Sequence, residues 1–322
     1  RFDIRDKKYI RYIISTLETM IHHLNYLNAA AYLLNAAVTY LVGTYGVLGP
    51  NTQNDLSEKY QTLVTPAGFA FSIWGIIFAS QFIFVVAQLL IKKVQSKGAV
   101  GVGYNYIGVC IAQAAWVIVF NFEIIWLSLP LMLTILYFLL KINVNQYYDY
   151  GESTIRNFWL FHFPFSIHCG WILAASFVNL NVVLVKYSVG SSIQYYAALV
   201  SLLVLFHGAI LPLVLLSKPQ YVIPSVLSWA LYGIYSELQD PKELILNTFT
   251  QSNISSIKNK AFYAMITILI TLVIRLIIEL IEFIRIIDFI NKLQSENDGG
   301  NNSNIYVALE DNGDNDEEGV AE

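Results

Sequence analysis

Charge is what this chain is short of. Only 13% of its 322 residues are charged, against 56% hydrophobic, where water-soluble domains carry roughly 25% charged. Too few charges remain to coat a water-facing surface of this length, and a mean hydropathy of +0.54 points to the bilayer as the solvent. Cysteine is equally scarce. Cys110 and Cys169 both fall inside apolar runs, so a disulfide scaffold is excluded by number and neither has the partner spacing of a metal site. Both read as small apolar packing residues. A phosphate-binding Gly loop, an HExxH motif and a defensible Ser-His-Asp arrangement are missing. No group of titratable residues converges within the apolar runs, which makes an enzyme the least supported class. Alternating apolar residues are absent too, which disfavours a β-barrel.

The charge that is present is segregated. Arg1, Arg5, Lys7, Lys8 and Arg11 make a basic N-terminal segment over residues 1–25, suited to an anionic membrane surface. Nothing else forms a basic groove, so no nucleic acid is expected as a partner. No cleavable signal peptide is expected, because Ile21–Leu41 contains His and Asn and runs on into further apolar stretches.

A helix needs about 20 mostly apolar residues to cross the hydrocarbon core. Such runs occur at Tyr26–Leu48, Pro66–Ile91, Tyr104–Phe122, Ile124–Val144, Phe158–Val185, Ile193–Leu216, Tyr221–Tyr235 and Ala261–Leu280. The expected fold is an all-α polytopic bundle of about eight crossings, the seventh being the shortest. With the N-terminus cytoplasmic, Lys and Arg divide thirteen to five in favour of that side (Arg275, inside a span, left out), which predicts both termini inside.

The last apolar run continues without Pro or Gly to Leu293. Arg275, Glu279, Glu282, Arg285, Asp288 and Lys292 recur every three or four residues, so they line one face. Arg275 with Glu279, and Glu282 with Arg285, are placed to pair. The stretch reads either as a span with an amphipathic extension or as a helix carrying an intramembrane ion pair. Residues 294–322 turn acidic and polar, the composition of a disordered tail. Within them Tyr306-Val307-Ala308-Leu309 has the form of a tyrosine-based sorting signal, and Asn253-Ile254-Ser255 is a glycosylation sequon on the expected outer loop. Both tilt towards endomembranes or the plasma membrane rather than mitochondria.

Three segments carry more than hydropathy. Thr65 can cap the second span and Pro66 suits its first turn, after which Phe71, Trp74 and Phe78 share a face. In the third span Gln113, Trp116 and Phe120 do the same. In the fifth, Trp171, Ala175 and Asn179 are four apart. Three helices would each turn a Trp, with an amide or small residue, towards a shared interior. Each Trp also reads as plain helix packing, and Gln113 and Asn179 as interhelical hydrogen bonding. His162, His168 and His207 are the candidate haem ligands.

These segments resemble the tryptophan-rich sensory protein family, also called translocator protein or TspO-like, over roughly residues 25–186. The similarity rests on the Thr65-Pro66 start with Phe71 and Trp74, the spacing of Gln113, Trp116 and Phe120, and that of Trp171, Ala175 and Asn179. Ala67 stands where typical members have a second Pro, Gln113 where they have Asn, and Pro164 lies further upstream of Trp171. The chain thus resembles a divergent, larger branch. The resemblance implies a five-helix membrane core over residues 26–186, followed by about three additional transmembrane helices with their cytoplasmic extension over 187–293. It also implies a Trp-lined pocket for a tetrapyrrole or sterol, with Phe71, Trp74, Gln113, Trp116, Phe120, Trp171, Ala175 and Asn179 as its contacts, and the loop from Gly49 to Thr65 as a lid.

Two functions stay open at this level: binding of a small apolar ligand, with sensing or transport, and an accessory role in a homo-oligomer or larger membrane complex. A secondary transporter would show internal repeats, and none is evident.

Overall fold

The computed structural model describes residues 23–148 and 154–310, excepting the side chains of 92, 93, 95–100 and 295–310. Among the described residues every regular element is a helix. The basic N-terminal segment lies mostly outside them.

In chain order, α1 covers residues 23–38 and continues as a π-helical turn, Thr39–Thr44. A short helix, α2 (Gln53–Lys59), crosses the loop after it. Thr52 and Asp55 close a reciprocal capping box at its start, satisfying donors a helix N-terminus leaves open. A 3-10 turn (Gly68–Ser72) leads into α3 (Ile73–Leu90). Helix α4 (Lys92–Asn121) is broken by Gly103 at φ 51°, a conformation glycine adopts without penalty, and its stretch Gly101–Asn121 is long and apolar enough to cross a membrane. Next come α5 (Ile125–Tyr148) and the single turn α6 (Ile155–Asn157). A π turn (Phe158–His162) joins α6 to α7 (Phe163–Lys186), with Pro164 directly after the π turn. Then follow α8 (Ser191–Val214), α9 (Val222–Glu237), α10 (Glu243–Thr248) and α11 (Gln251–Glu310).

Among the described residues, six helical stretches are long and apolar enough to cross a membrane: Gly68–Leu90, Gly101–Asn121, Ile125–Tyr148, Ile155–Lys186, Ser191–Val214 and Gln251–Gln294. The protein is an integral, polytopic helical bundle. Helices also stand at the expected first and seventh spans. The α9 helix has 16 residues, about 24 Å at 1.5 Å each, less than the roughly 30 Å hydrocarbon core. The buried face of α1 is polar: Asn25, Asn28, Asn35 and Thr39 are buried at helical spacing, around Tyr32, whose hydroxyl donates to Phe78 O at 3.0 Å.

Helix α7 is the centre of the bundle, buried continuously from Pro164 to Ile172. Phe165 meets Phe84 and Tyr106 edge to face, with ring centroids 5.0 and 5.2 Å apart, an arrangement favoured by the ring quadrupole. The chain forms two compact units divided at Ile270, and α8, α9 and the first turns of α11 belong to the same unit as the helices before them. Within it Ile254, Ile257, Ala261, Met265 and Ile268 bury one stripe of α11.

The second unit begins at Thr271 and stays helical to Glu310, past the start expected for a disordered tail. The last proline is Pro241, so nothing after it removes a backbone donor from the helix. Residues 311–322 lie outside the described residues, and Tyr306–Leu309 falls where side chains are not described. Neither expected ion pair, Arg275–Glu279 or Glu282–Arg285, forms.

Candidate functional site

The indoles converge. Phe71 and Trp74 at the start of α3, Trp116 and Phe120 at the end of α4, and Trp171, Ala175 and Asn179 along α7 all line one cavity of about 80 Å³. Trp171 is buried and takes both Phe71 and Trp74 edge to face, with centroids 5.6 and 6.4 Å apart. Trp116 stacks on Phe120 at 4.9 Å and an 18° interplanar angle. The result is a wall of ring faces and edges.

Asn179 is buried and already bonded. Its Oδ1 accepts from Trp116 Nε1 at 2.8 Å, and its Nδ2 donates to Ser128 Oγ of α5 at 2.8 Å. It therefore sets the Trp116 ring and ties three helices together. One N–H and one lone pair of the amide are left over.

Gln113 does not line the cavity. It shares the α4 face with Phe120 but lies seven residues before it, about 10 Å along the axis, below the cavity floor. Its Oε1 is buried without a hydrogen-bond partner. The histidines do not converge. His168 is fully buried, bonds Gln81 at 2.9 Å and meets the Trp74 ring at 5.7 Å. His207 is exposed and bonds Leu203 O, while His162 lies at a different pocket.

Two parts of the wall were not legible beforehand. Leu205 of α8 and Ala230 and Ile234 of α9 also face the cavity, so the helices beyond residue 186 help to build it. The α9 helix grips the Thr-Pro entry of α3. Gly233 O accepts the Ala67 N–H at 3.0 Å, and Trp229 Nε1 donates to Ala70 O at 3.0 Å. A proline at position 67 has no N–H to give. Ala67, which departs from the expected family pattern, supplies the N–H that α9 uses. Gly233 permits the approach: a Cβ there would sit 2.8 Å from Pro66 Cβ and 2.9 Å from Ala70 Cβ.

The other rim is α2. Gln53 and Ser57 point at the cavity, so the loop from Gly49 to Thr65 does cover it. Charge holds the cover. Glu123, in the turn between α4 and α5, takes Lys59 Nζ at 2.5 Å, Lys186 Nζ at 3.1 Å, Tyr60 Oη at 2.9 Å and Asn51 Nδ2 at 3.2 Å. Lys59 and then Tyr60 and Lys186, against the opposing effect of burial, hold its carboxyl down at about 2. Lys59 is raised in turn, chiefly by Glu123. Glu123 reaches these partners from φ 59°, a strained backbone for a residue with a side chain. On the far side Gln61 Nε2 donates to Glu237 of α9.

No curated protein and no solved structure matches the chain. A family model described as TSPO-like protein matches residues 25–274, a stretch that runs through α8 and α9 into α11. With its Thr-Pro entry, converging indoles and membrane helices inside that match, the chain belongs to the TSPO-like protein family.

Proposed function

We propose that this TspO-like membrane protein binds a flat, apolar ligand of the tetrapyrrole or sterol kind in the indole-lined cavity, as a binding protein rather than an enzyme. One observation carries this: five aromatic rings from three helices, Phe71, Trp74, Trp116, Phe120 and Trp171, face a single cavity. Its polar groups are few, Gln53, Ser57, Thr65 and Asn179 among them. Such a lining suits a ligand held by ring contact and oriented by a small number of hydrogen bonds.

Size sets the mechanism. Sites for drug-sized ligands run to roughly 300–1,000 Å³, and this cavity is about 80 Å³. The conformation at hand is therefore closed, and entry requires α2 to lift away from the indoles. Releasing α2 breaks the Glu123 cluster, the Glu58–Lys242 and Gln61–Glu237 contacts, and the buried cluster that Leu56 forms with Tyr60 and Phe120. The Lys/Arg bias supports cytoplasmic termini, which puts α2 and the mouth on the opposite side of the membrane.

The test is a titration of protein in nanodiscs with protoporphyrin and, separately, with a fluorescent sterol, following Trp emission. Saturable quenching that weakens in Trp171→Ala supports the proposal. Quenching that rises linearly with ligand, without saturation, rejects it.

A further inference from the structure

A second pair of cavities lies on the other side of α7, and the indole site uses neither. The first, of about 200 Å³, is polar and stands where α5, the π turn and the α8–α9 loop meet. Gln146, Thr154, His162, Lys218 and Gln220 contribute to it. The second is an open groove of about 380 Å³ along α9, lined by Ile73, Phe163, Val226 and Trp229. Phe158, Tyr221 and Val222 border both, so the polar cavity adjoins the apolar groove.

We propose that this composite site binds one phospholipid, its phosphate beside Lys218, its headgroup donor on Gln146 and an acyl chain in the groove along α9.

Three observations set that chemistry. First, Gln146 is 1% exposed, and its Nε2 is committed to Phe161 O at 2.8 Å. Its Oε1 is a buried acceptor with no partner, and such an atom costs free energy until a donor reaches it. Second, Lys218 has no carboxylate partner among the described residues, and no acid among them lines the cavity. An ammonium beside a cavity whose described lining holds no acid favours an anion. One ligand must therefore present both an anionic oxygen and an N–H or O–H donor. Third, the apolar groove starts where the polar cavity ends and follows α9 from Tyr221 to Trp229, about 12 Å at 1.5 Å per residue. A soluble phosphate ester has nothing to place there, whereas an acyl chain does.

The donor requirement discriminates between headgroups. Ethanolamine and glycerol headgroups carry N–H or O–H donors, and choline carries none. The lipid would complete the packing between α9 and the π turn before α7, on the helix that also grips the Thr-Pro entry.

The experiment is native mass spectrometry of the full chain, released from nanodiscs of mixed phosphatidylethanolamine and phosphatidylcholine, counting retained lipid. The expected result is one retained phosphatidylethanolamine, with phosphatidylcholine retained about tenfold less, the size of one hydrogen bond lost to a charged donor. Lys218→Gln, an exposed substitution, lowers retention of both lipids. Ser225→Trp, on the exposed lip of the groove, lowers retention by filling the acyl path. Gln146→Leu removes the preference between the headgroups, and Lys218→Gln keeps the test valid should Gln146→Leu not fold. Equal retention of both lipids in the unmodified protein, or unchanged retention in Lys218→Gln and Ser225→Trp, overturns the proposal. So does displacement of the lipid by millimolar inorganic phosphate with no effect of Ser225→Trp, which would assign the cavity to a soluble phosphate.

Discussion

The two rims of the indole cavity are built from opposite kinds of interaction. At the Thr-Pro entry, α9 holds α3 through backbone: Gly233 O on the Ala67 N–H, Trp229 on Ala70 O, and a glycine contact too tight for a methyl group. At the mouth, α2 is held by Glu123 and its cations, with Lys59 about half exposed, and by one buried side chain, Leu56, clustered with Tyr60 and Phe120. Buried backbone contacts have no state other than made or broken with the fold, while exposed ion pairs are worth little and exchange readily with water. The difference teaches which rim can move. Under the proposed binding function, the α9 side would be wall and the α2 side door.

The comparison breaks most visibly at Gly233. Gly233→Leu forces a side chain into Pro66 and Ala70, neither of which can yield. Overpacking of this kind costs about 1–3 kcal/mol, and a thermal melt in detergent should show the largest fall of any variant considered. Ala67→Pro comes next. It removes the N–H that Gly233 O accepts, and an unpaired buried carbonyl costs about 1–2 kcal/mol. The melt should drop less than for Gly233→Leu, and porphyrin affinity should fall with it. If Ala67→Pro is neutral, α9 does not hold the entry.

At the door the stability effects shrink while the kinetic ones grow. Glu123→Gln should change stability by about 1 kcal/mol or less, yet speed amide exchange throughout Gln53–Lys59 and hasten ligand entry. Glu123→Gly sharpens the point. It relieves a positive φ, worth about 1 kcal/mol, as it removes the latch, so the melt should stay near that of the unmodified protein while α2 exchanges faster. Acid gives the smallest effect. The Glu123 carboxyl is depressed from 4.5 to about 2, so its contribution is fully present above about pH 4.5 and fades as pH falls through about 2. Entry rates should be flat from neutral pH to about 4.5 and rise below it. A rise centred on pH 6 would point to a different group.

Hydropathy and helical spacing were enough to locate the helices and to put Phe71, Trp74, Trp116, Phe120, Trp171, Ala175 and Asn179 on inward faces. Helical period says nothing about depth, which is why Gln113 shared a face with Phe120 and yet fell below the cavity. Contacts between distant segments leave no local pattern either. Leu205, Ala230 and Ile234 sit in ordinary apolar runs, and only folding brings them to the wall. Ala67 stood out only as a departure from the family pattern, and the backbone donor it supplies to Gly233 O became clear only in the structure. Glu123 carried no signal in the sequence, because its partners Lys59 and Lys186 stand at the ends of α2 and α7, far away in the chain.

The most direct test of the binding claim compares two tryptophans in one titration. Trp171 is buried in the cavity wall, while Trp126 is 61% exposed and away from it. With protoporphyrin as ligand, Trp171→Ala should weaken the dissociation constant by about tenfold, the worth of one ring contact and the area it buries, and Trp126→Ala should leave it unchanged. Equal constants for both variants would mean that the ligand does not meet the converging indoles, and the cavity would then be packing alone.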